Sequence, residues 1–450
     1  MTSSLSARVA AIARAFAIGP LTTQLLVERA TAATGESVRT VRPLADKVAR
    51  AFDGKTRPRV RDIVALLTDD WMWLRRQLTM TDSARRSLTR TTLTGDTVMV
   101  PVPAASGWSV PPITTTAALA EWLGLTDAEL AWCSDCAALG HEEWTAARHH
   151  YHYVLRAKRH GGIRVLEAPQ ARLKAVQRRI LTDILNRIPP WYTAAHGFVK
   201  GRSVRSFAGE HVGRAVVLRM DLADFFPTVS GARVQALFRT LGYPEAVADA
   251  LGGLCTNTTP TGMFAPTRWP LLHAADLRDA RLLHRRPHLP QGAPTSPALA
   301  NFCAWRLDCR LTGLADWAGA VYSRYADDLA FSGDADVARR IDEYAAQIAA
   351  IASDEGWRVQ HRKTRIMRQG VQQRLTGLVV NVRVNCPRRD VDALKATLTN
   401  CVRHGAASQN RAGLPDFRAH LLGRIGWVRS VNPAKAIRLQ DIFDQVDWST

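Results

Sequence analysis

The tightest constraint on this chain's fold is local. Two adjacent carboxylates, Asp327 and Asp328, sit between two short apolar runs, residues 321–325 and 329–332. Runs of this length and composition read as strands, so the pair falls in a tight hairpin turn. Like charges this close raise each other's pKa, and a bound divalent cation relieves them. A further apolar run, residues 215–220, has the pattern of a strand buried on both faces and delivers Asp221 at its carboxyl end. Three carboxylates from two strand ends can hold two divalent ions about 4 Å apart and serve an in-line displacement at phosphorus. The residues alone leave other readings open. A strand-end acid also serves as a turn former, and Asp69-Asp70, in a helical pattern, reads as a solvated helix end.

Charge supports a polyanionic partner. The 450 residues carry 60 Lys plus Arg against 40 Asp plus Glu, a net +20. Residues 151–230 carry 14 basic and 5 acidic side chains and residues 351–450 carry 17 and 8, whereas 231–350 balance at 12 and 12. Basic flanks around a neutral middle suit a nucleic-acid groove around a site that needs its own acids. The stretch 101–150 runs the other way, with 1 basic and 6 acidic residues. A hydrophobic content of 46% excludes wholesale disorder. No run of eighteen apolar residues predicts a membrane span, and Arg8 and Arg14 interrupt any targeting segment. Seven scattered cysteines suit a reducing cytoplasm.

Periodicity predicts helices over much of residues 1–80, with Val9, Ile12, Ala13 and Phe16 on one face and Val41, Leu44, Val48 and Phe52 on another. Thr126 and Glu129 form a candidate capping box. Residues 151–156 and 163–166 read as strands about Gly161-Gly162, and 172–188 as a helix. Cys133 and Cys136 with His149, His150 and His152 could ligate zinc, or the cysteines could be buried helix residues.

An ordered series of segments resembles the reverse transcriptases. Lys158, Arg164-Val165-Leu166-Glu167-Ala168-Pro169, Leu173-Lys174 and Gln177 resemble the family's first fingers motif, and Ala195-His196-Gly197-Phe198 through Ser203 the second. The Asp221 strand, the loop Leu289-Pro290-Gln291-Gly292-Ala293-Pro294-Thr295-Ser296-Pro297, the Tyr325-Ala326-Asp327-Asp328 turn and Gln360-His361-Arg362-Lys363-Thr364 follow in the family's order. The resemblance implies an α+β right-hand polymerase with fingers, palm and thumb; residues 1–149 lie outside it and read as a helical N-terminal extension and linker. The implied divisions are residues 1–149, 150–382 and 383–450.

The resemblance also implies roles. Asp221, Asp327 and Asp328 become the catalytic acids, holding two Mg²⁺ ions together with the backbone carbonyl of Leu222. Lys158 and Arg164 become triphosphate contacts, unless they are simply a solvated hairpin edge. Phe226 becomes the ring under the incoming sugar that favours deoxynucleotides, although Phe225 and Phe226 also read as core. Gln291 and Gly292 become backbone contacts to the base pair. Lys363 becomes a general acid for pyrophosphate or a plain phosphate contact.

Within the family the chain looks most like retron enzymes. Leu375-Thr376-Gly377 resembles their Val-Thr-Gly motif, and Phe207-Ala208-Gly209-Glu210-His211 keeps the Ala and His of their Asn-Ala-x-x-His segment. The implied partners are a cognate structured RNA, its branched DNA product, deoxynucleoside triphosphates and a protein effector in antiphage defence. The alternatives are a group II intron-like or other bacterial defence reverse transcriptase, and an inactive RNA-binding scaffold. The C-terminal segment reads as helical, with Val391, Leu394, Leu398 and Val402 on one face and Leu421, Ile425 and Val428 on another.

Overall fold

Four helices begin the chain: α1 (Ser3–Phe16), α2 (Thr23–Thr34), α3 (Val38–Ala51) and α4 (Val60–Thr68). The computed structural model describes residues 3–17, 20–52, 58–69, 98–134, 150–158, 161–189 and 193–448. The expected apolar faces close on one another, with Val9, Ile12, Phe16, Leu26, Val41, Leu44, Val48, Ile63 and Leu67 in one core. Phe52 packs at its edge, partly buried. Asp69 caps the end of α4 and is exposed, as a solvated helix end requires; Asp70 lies outside the described residues. Among the described residues no helix is long and apolar enough to cross a membrane.

The chain forms two compact units that interleave in sequence. Met1–Pro189 joins Phe226–Cys303 in the first, and Pro190–Phe225 joins Ala304–Thr450 in the second. In the first, β1 (Tyr151–Ala157) pairs antiparallel with β2 (Ile163–Pro169), with Arg156 opposite Arg164. Both strands outrun the expected ones, since the ladder pairs every residue from Tyr151 opposite Pro169 to Ala157 opposite Ile163, and Leu155, Ile163 and Val165 face a core with Phe264 and Leu277. The helix expected over 172–188 is α5 (Ala171–Asp183) followed by a single 3₁₀ turn, Leu185–Arg187. The Thr126–Glu129 capping box is present, each backbone N–H donating to the other's side chain at 2.8 and 3.1 Å.

The second unit is built on a four-stranded antiparallel sheet of order β4-β5-β3-β6. The strands are β3 (Val216–Asp221), β4 (Val321–Tyr325), β5 (Asp328–Gly333) and β6 (Arg365–Arg368). Strand β3 lies centrally and is buried along nearly its whole length. One face of the sheet carries Tyr322 and Phe331, stacked at 4.6 Å, with Phe331 meeting the Tyr344 ring edge-on at 5.5 Å. On the other face, Val217 and Ala330 share a core with Phe207 and Ala208 of α6 (Val204–Gly209). That core continues into the C-terminal helices Arg388–His404, Phe417–Val431 and Pro433–Phe443. Leu375-Thr376-Gly377-Leu378 makes a tight turn in which Thr376 and Gly377 both take positive φ, 44° and 89°.

The C-terminal helix stripe departs from expectation at one position. Val391, Leu394 and Leu398 are buried, but the next buried residue is Cys401, and Val402 is 40% exposed. From Leu398 the stripe advances by three residues rather than four. Either step keeps helical phase, so spacing alone could not choose between the two neighbours.

Candidate active site

The sheet of the second unit brings all three expected acids together. Strand register sets Asp221 directly opposite Asp328, and the N–H of Leu222 donates to the carbonyl of Asp327 at 2.8 Å. Asp221 is 5% exposed. Burial, then Asp221 and Asp328, pushes the Asp327 carboxyl up to about 6. Asp328 is also raised, by burial, against the lowering pull of Arg219. The Arg219 guanidinium reaches Asp328 Oδ1 at 2.6 and 2.9 Å, and Lys363 Nζ donates to both Asp221 oxygens at 2.7 and 2.9 Å. Negative charge gathered by an all-oxygen donor set suits a hard divalent cation, and Asp327, raised by burial and then by Asp221 and Asp328, is a carboxyl that such a cation would relieve.

The turn between β4 and β5 is shaped by its surroundings. Ala326 adopts φ 56°, a left-handed conformation that costs a non-glycine residue about 1–2 kcal/mol. Arg324, fully buried, donates from Nη1 to the Ala326 carbonyl at 3.1 Å. Its Nε and Nη2 grip Asp308 at 2.8 and 2.6 Å, a bidentate pair that fixes the guanidinium plane. Residues 194–197 run beside β4, with the N–H of His196 donating to the Arg324 carbonyl at 2.7 Å. Gly197 has to be glycine here, since a Cβ would lie 2.5 Å from the Ala326 backbone nitrogen. The segment bearing Lys363 is held the same way, the N–H of Gln360 donating to the Asp221 carbonyl at 2.7 Å. Phe225 is the ring that joins the core, stacked on Trp357 at 4.9 Å.

The remaining candidates belong to the first unit. Arg164 is exposed on β2, and Lys158 is half-buried where its N–H donates to the Gly162 carbonyl at 2.9 Å. Phe226 is half-buried. The Gln291 carbonyl accepts from the N–H of Glu167 at 2.9 Å, and Gly292, at φ 137°, passes so close that a Cβ would lie 2.9 Å from the Glu167 carbonyl oxygen. Below this contact the buried Glu167 side chain accepts from Asn257 at 2.8 Å, from Thr259 at 2.6 Å and from His288 at 3.0 Å. Burial pushes the Glu167 carboxyl up, but His288, His284 and Thr259 together outweigh it and hold it below the usual value. Burial lowers His288, but Glu167 and the Arg286 carbonyl together outweigh that, so the imidazole is raised. Glu167, His284 and His288 lie close enough to ligate a cation, but Glu167 is already taken up by His288, Asn257 and Thr259, and His284 Nδ1 lies 2.7 Å from the Ala280 carbonyl.

Of the sequence-level zinc candidates, Cys133 is buried on the helix Asp127–Ser134, and His150 lies against the Trp132 carbonyl at 3.0 Å. Among the described residues they join no ligand cluster; Cys136 and His149 lie outside those residues. Sequence reasoning missed Arg219, Arg324 with Asp308, and the Glu167 cluster. Arg219 had a legible signal. It is the single charge within an apolar strand, two residues before Asp221 and therefore on the same face. The Arg324–Asp308 pair had none, because nothing in either segment announces the other.

The chain belongs to the reverse transcriptase family: residues 156–380 match its model, described as "Reverse transcriptase (RNA-dependent DNA polymerase)". The relatives that it resembles are retron enzymes. It is 43% identical over 294 residues to the retron Mx65 reverse transcriptase of Myxococcus xanthus, covering 64% of this chain and 63% of that protein. The retron Mx162 reverse transcriptase of the same organism is 36% identical over 332 residues, with 71% and 64% covered. The retron Ec86 reverse transcriptase of Escherichia coli is 31% identical over 219 residues, with 49% and 59% covered. Each match thus spans less than two thirds of the relative's own length.

Proposed function

We propose that this chain is an RNA-directed DNA polymerase of the retron type, copying a cognate structured non-coding RNA into branched multicopy single-stranded DNA in the cytoplasm, in antiphage defence. The observation that carries this reading is the convergence of Asp221, Asp327 and Asp328 at one end of the sheet, Asp221 registered opposite Asp328. When bound, two Mg²⁺ ions supply activation of the attacking hydroxyl and charge neutralisation at the leaving pyrophosphate. Asp221, Asp327 and Asp328, with the Leu222 carbonyl, hold them. Lys363 orients Asp221 through both its oxygens and offers an ammonium to the departing pyrophosphate. Lys158 and Arg164 grip the triphosphate, Gln291 and Gly292 present backbone to the base pair, and Phe226 bars a ribose 2′-hydroxyl. Residues 1–149 contact the RNA or a protein effector.

The test is to express the chain with its neighbouring DNA and isolate RNase-resistant, low-molecular-weight single-stranded DNA bearing an RNA branch. Asp327→Asn and Asp328→Asn each abolish that product. Its persistence in either variant overturns the assignment of the acids. Extension of ordinary primer–template pairs without any branched product overturns the retron part alone.

A further inference from the structure

His211 is fully buried against one face of the two strands that carry the catalytic turn. Its Nδ1 lies 2.7 Å from the Ser332 hydroxyl on β5, and its Nε2 lies 2.7 Å from the Ser323 hydroxyl on β4. Ser323 faces Ala330 across the ladder, and Ser332 is two residues beyond Ala330. Alternation along the strands therefore puts both serines on one face, diagonal to each other, and that face is also the one bearing Asp328 and Asp221. A diagonal pair is too far apart for two hydroxyls to meet directly, and the imidazole bridges it.

We propose that His211 is a positioning residue for polymerisation: a clamp that ties β4 to β5 behind the turn and so fixes Asp327 and Asp328 relative to Asp221. The inference rests on those acids being the catalytic ones. Two further contacts point the same way. The Phe207 ring meets His211 edge-on at 5.9 Å and lies 5.9 Å from Tyr325, the first residue of the turn motif, so one helix end supports the hairpin at two heights. Burial, then His196 and Arg214, holds the imidazole down to about 3. A neutral ring has one donor and one acceptor, and a hydroxyl can complement either.

The test uses the full chain carrying His211→Ala, Ser323→Ala or Ser332→Ala, with Asp327→Asn alongside. For His211→Ala we expect kcat to fall about tenfold or more while the deoxynucleotide KM stays within about threefold, the signature of misplaced acids rather than lost substrate binding. The Mg²⁺ concentration for half-maximal rate rises, and amide hydrogen exchange in residues 321–333 accelerates without metal or substrate present. Each serine variant shifts these readings in the same direction, and in the His211→Ala background adds nothing further. Parental kcat, Mg²⁺ dependence and hairpin exchange in a folded His211→Ala protein overturn the proposal. If that variant does not fold, the serine variants decide it: parental behaviour in both overturns it, and the expected shifts sustain it. Activity retained by Asp327→Asn sinks the assignment of the acids instead, whatever the His211 variants do.

Discussion

At the residue scale, Glu167 shows how one buried charge can serve a loop it never contacts through its side chain. Its backbone abuts Gln291 and Gly292, while its carboxylate is locked by Asn257, Thr259 and His288. His288 is raised, so its contribution to stability is full below its ordinary 6.5 and is lost as pH rises through its folded value. Glu167 is lowered, so its contribution is full above its ordinary 4.5 and is lost as pH falls through its folded value. The pair therefore stabilises most between 4.5 and 6.5. Removing one partner of a buried pair costs about 3–5 kcal/mol. Glu167→Gln should show that loss in urea unfolding near pH 6 and a smaller one at a pH above the folded value of His288, where the parent has lost the imidazolium charge. Equal losses at both pH values would mean that the pair is not ionised.

At the element scale, the hairpin was legible and its bracing was not. Apolar runs bounded the strands to within a residue or two, because a strand's period is written locally. The close packing of residues 194–197 against the turn is tertiary, and only the glycine at 197 hinted at it. Gly197→Ala should therefore displace the turn. A Cβ placed 2.5 Å from the Ala326 nitrogen meets backbone rather than a flexible side chain, and overpacking of this kind costs about 1–3 kcal/mol. The expected outcome is a lowered melting temperature and loss of primer extension that a Gly→Ala change at Gly209, where a Cβ meets nothing within 4 Å, does not reproduce. Equal behaviour of the two variants would show that the turn tolerates the shift. The C-terminal stripe marks the limit of periodicity: it found the buried face through Leu398 and could not tell Cys401 from Val402.

At the scale of the whole molecule, the order of motifs pointed to the family, while the interleaving of the two units lay beyond any local pattern. Residues 1–189 rejoin 226–303 through packing that no window of sequence encodes. Charge behaves differently, because it is additive and can be counted from composition. The C-terminal hundred residues carry a surplus of nine positive charges, and their helices leave Arg418, Arg429 and Arg438 exposed while burying the apolar face inward. Such a surface binds a nucleic-acid backbone by releasing counterions, so affinity should fall linearly on a log–log plot against salt. Binding of a structured RNA measured from about 50 to 200 mM salt should weaken steeply, and Arg418→Ala or Arg438→Ala should each reduce the slope by about 1 without changing which RNA is preferred. A backbone contact acts on every sequence alike, and selectivity has to come from RNA shape or from bases read elsewhere. A slope unaltered by both substitutions would move the RNA off these helices and leave their charge to solubility alone.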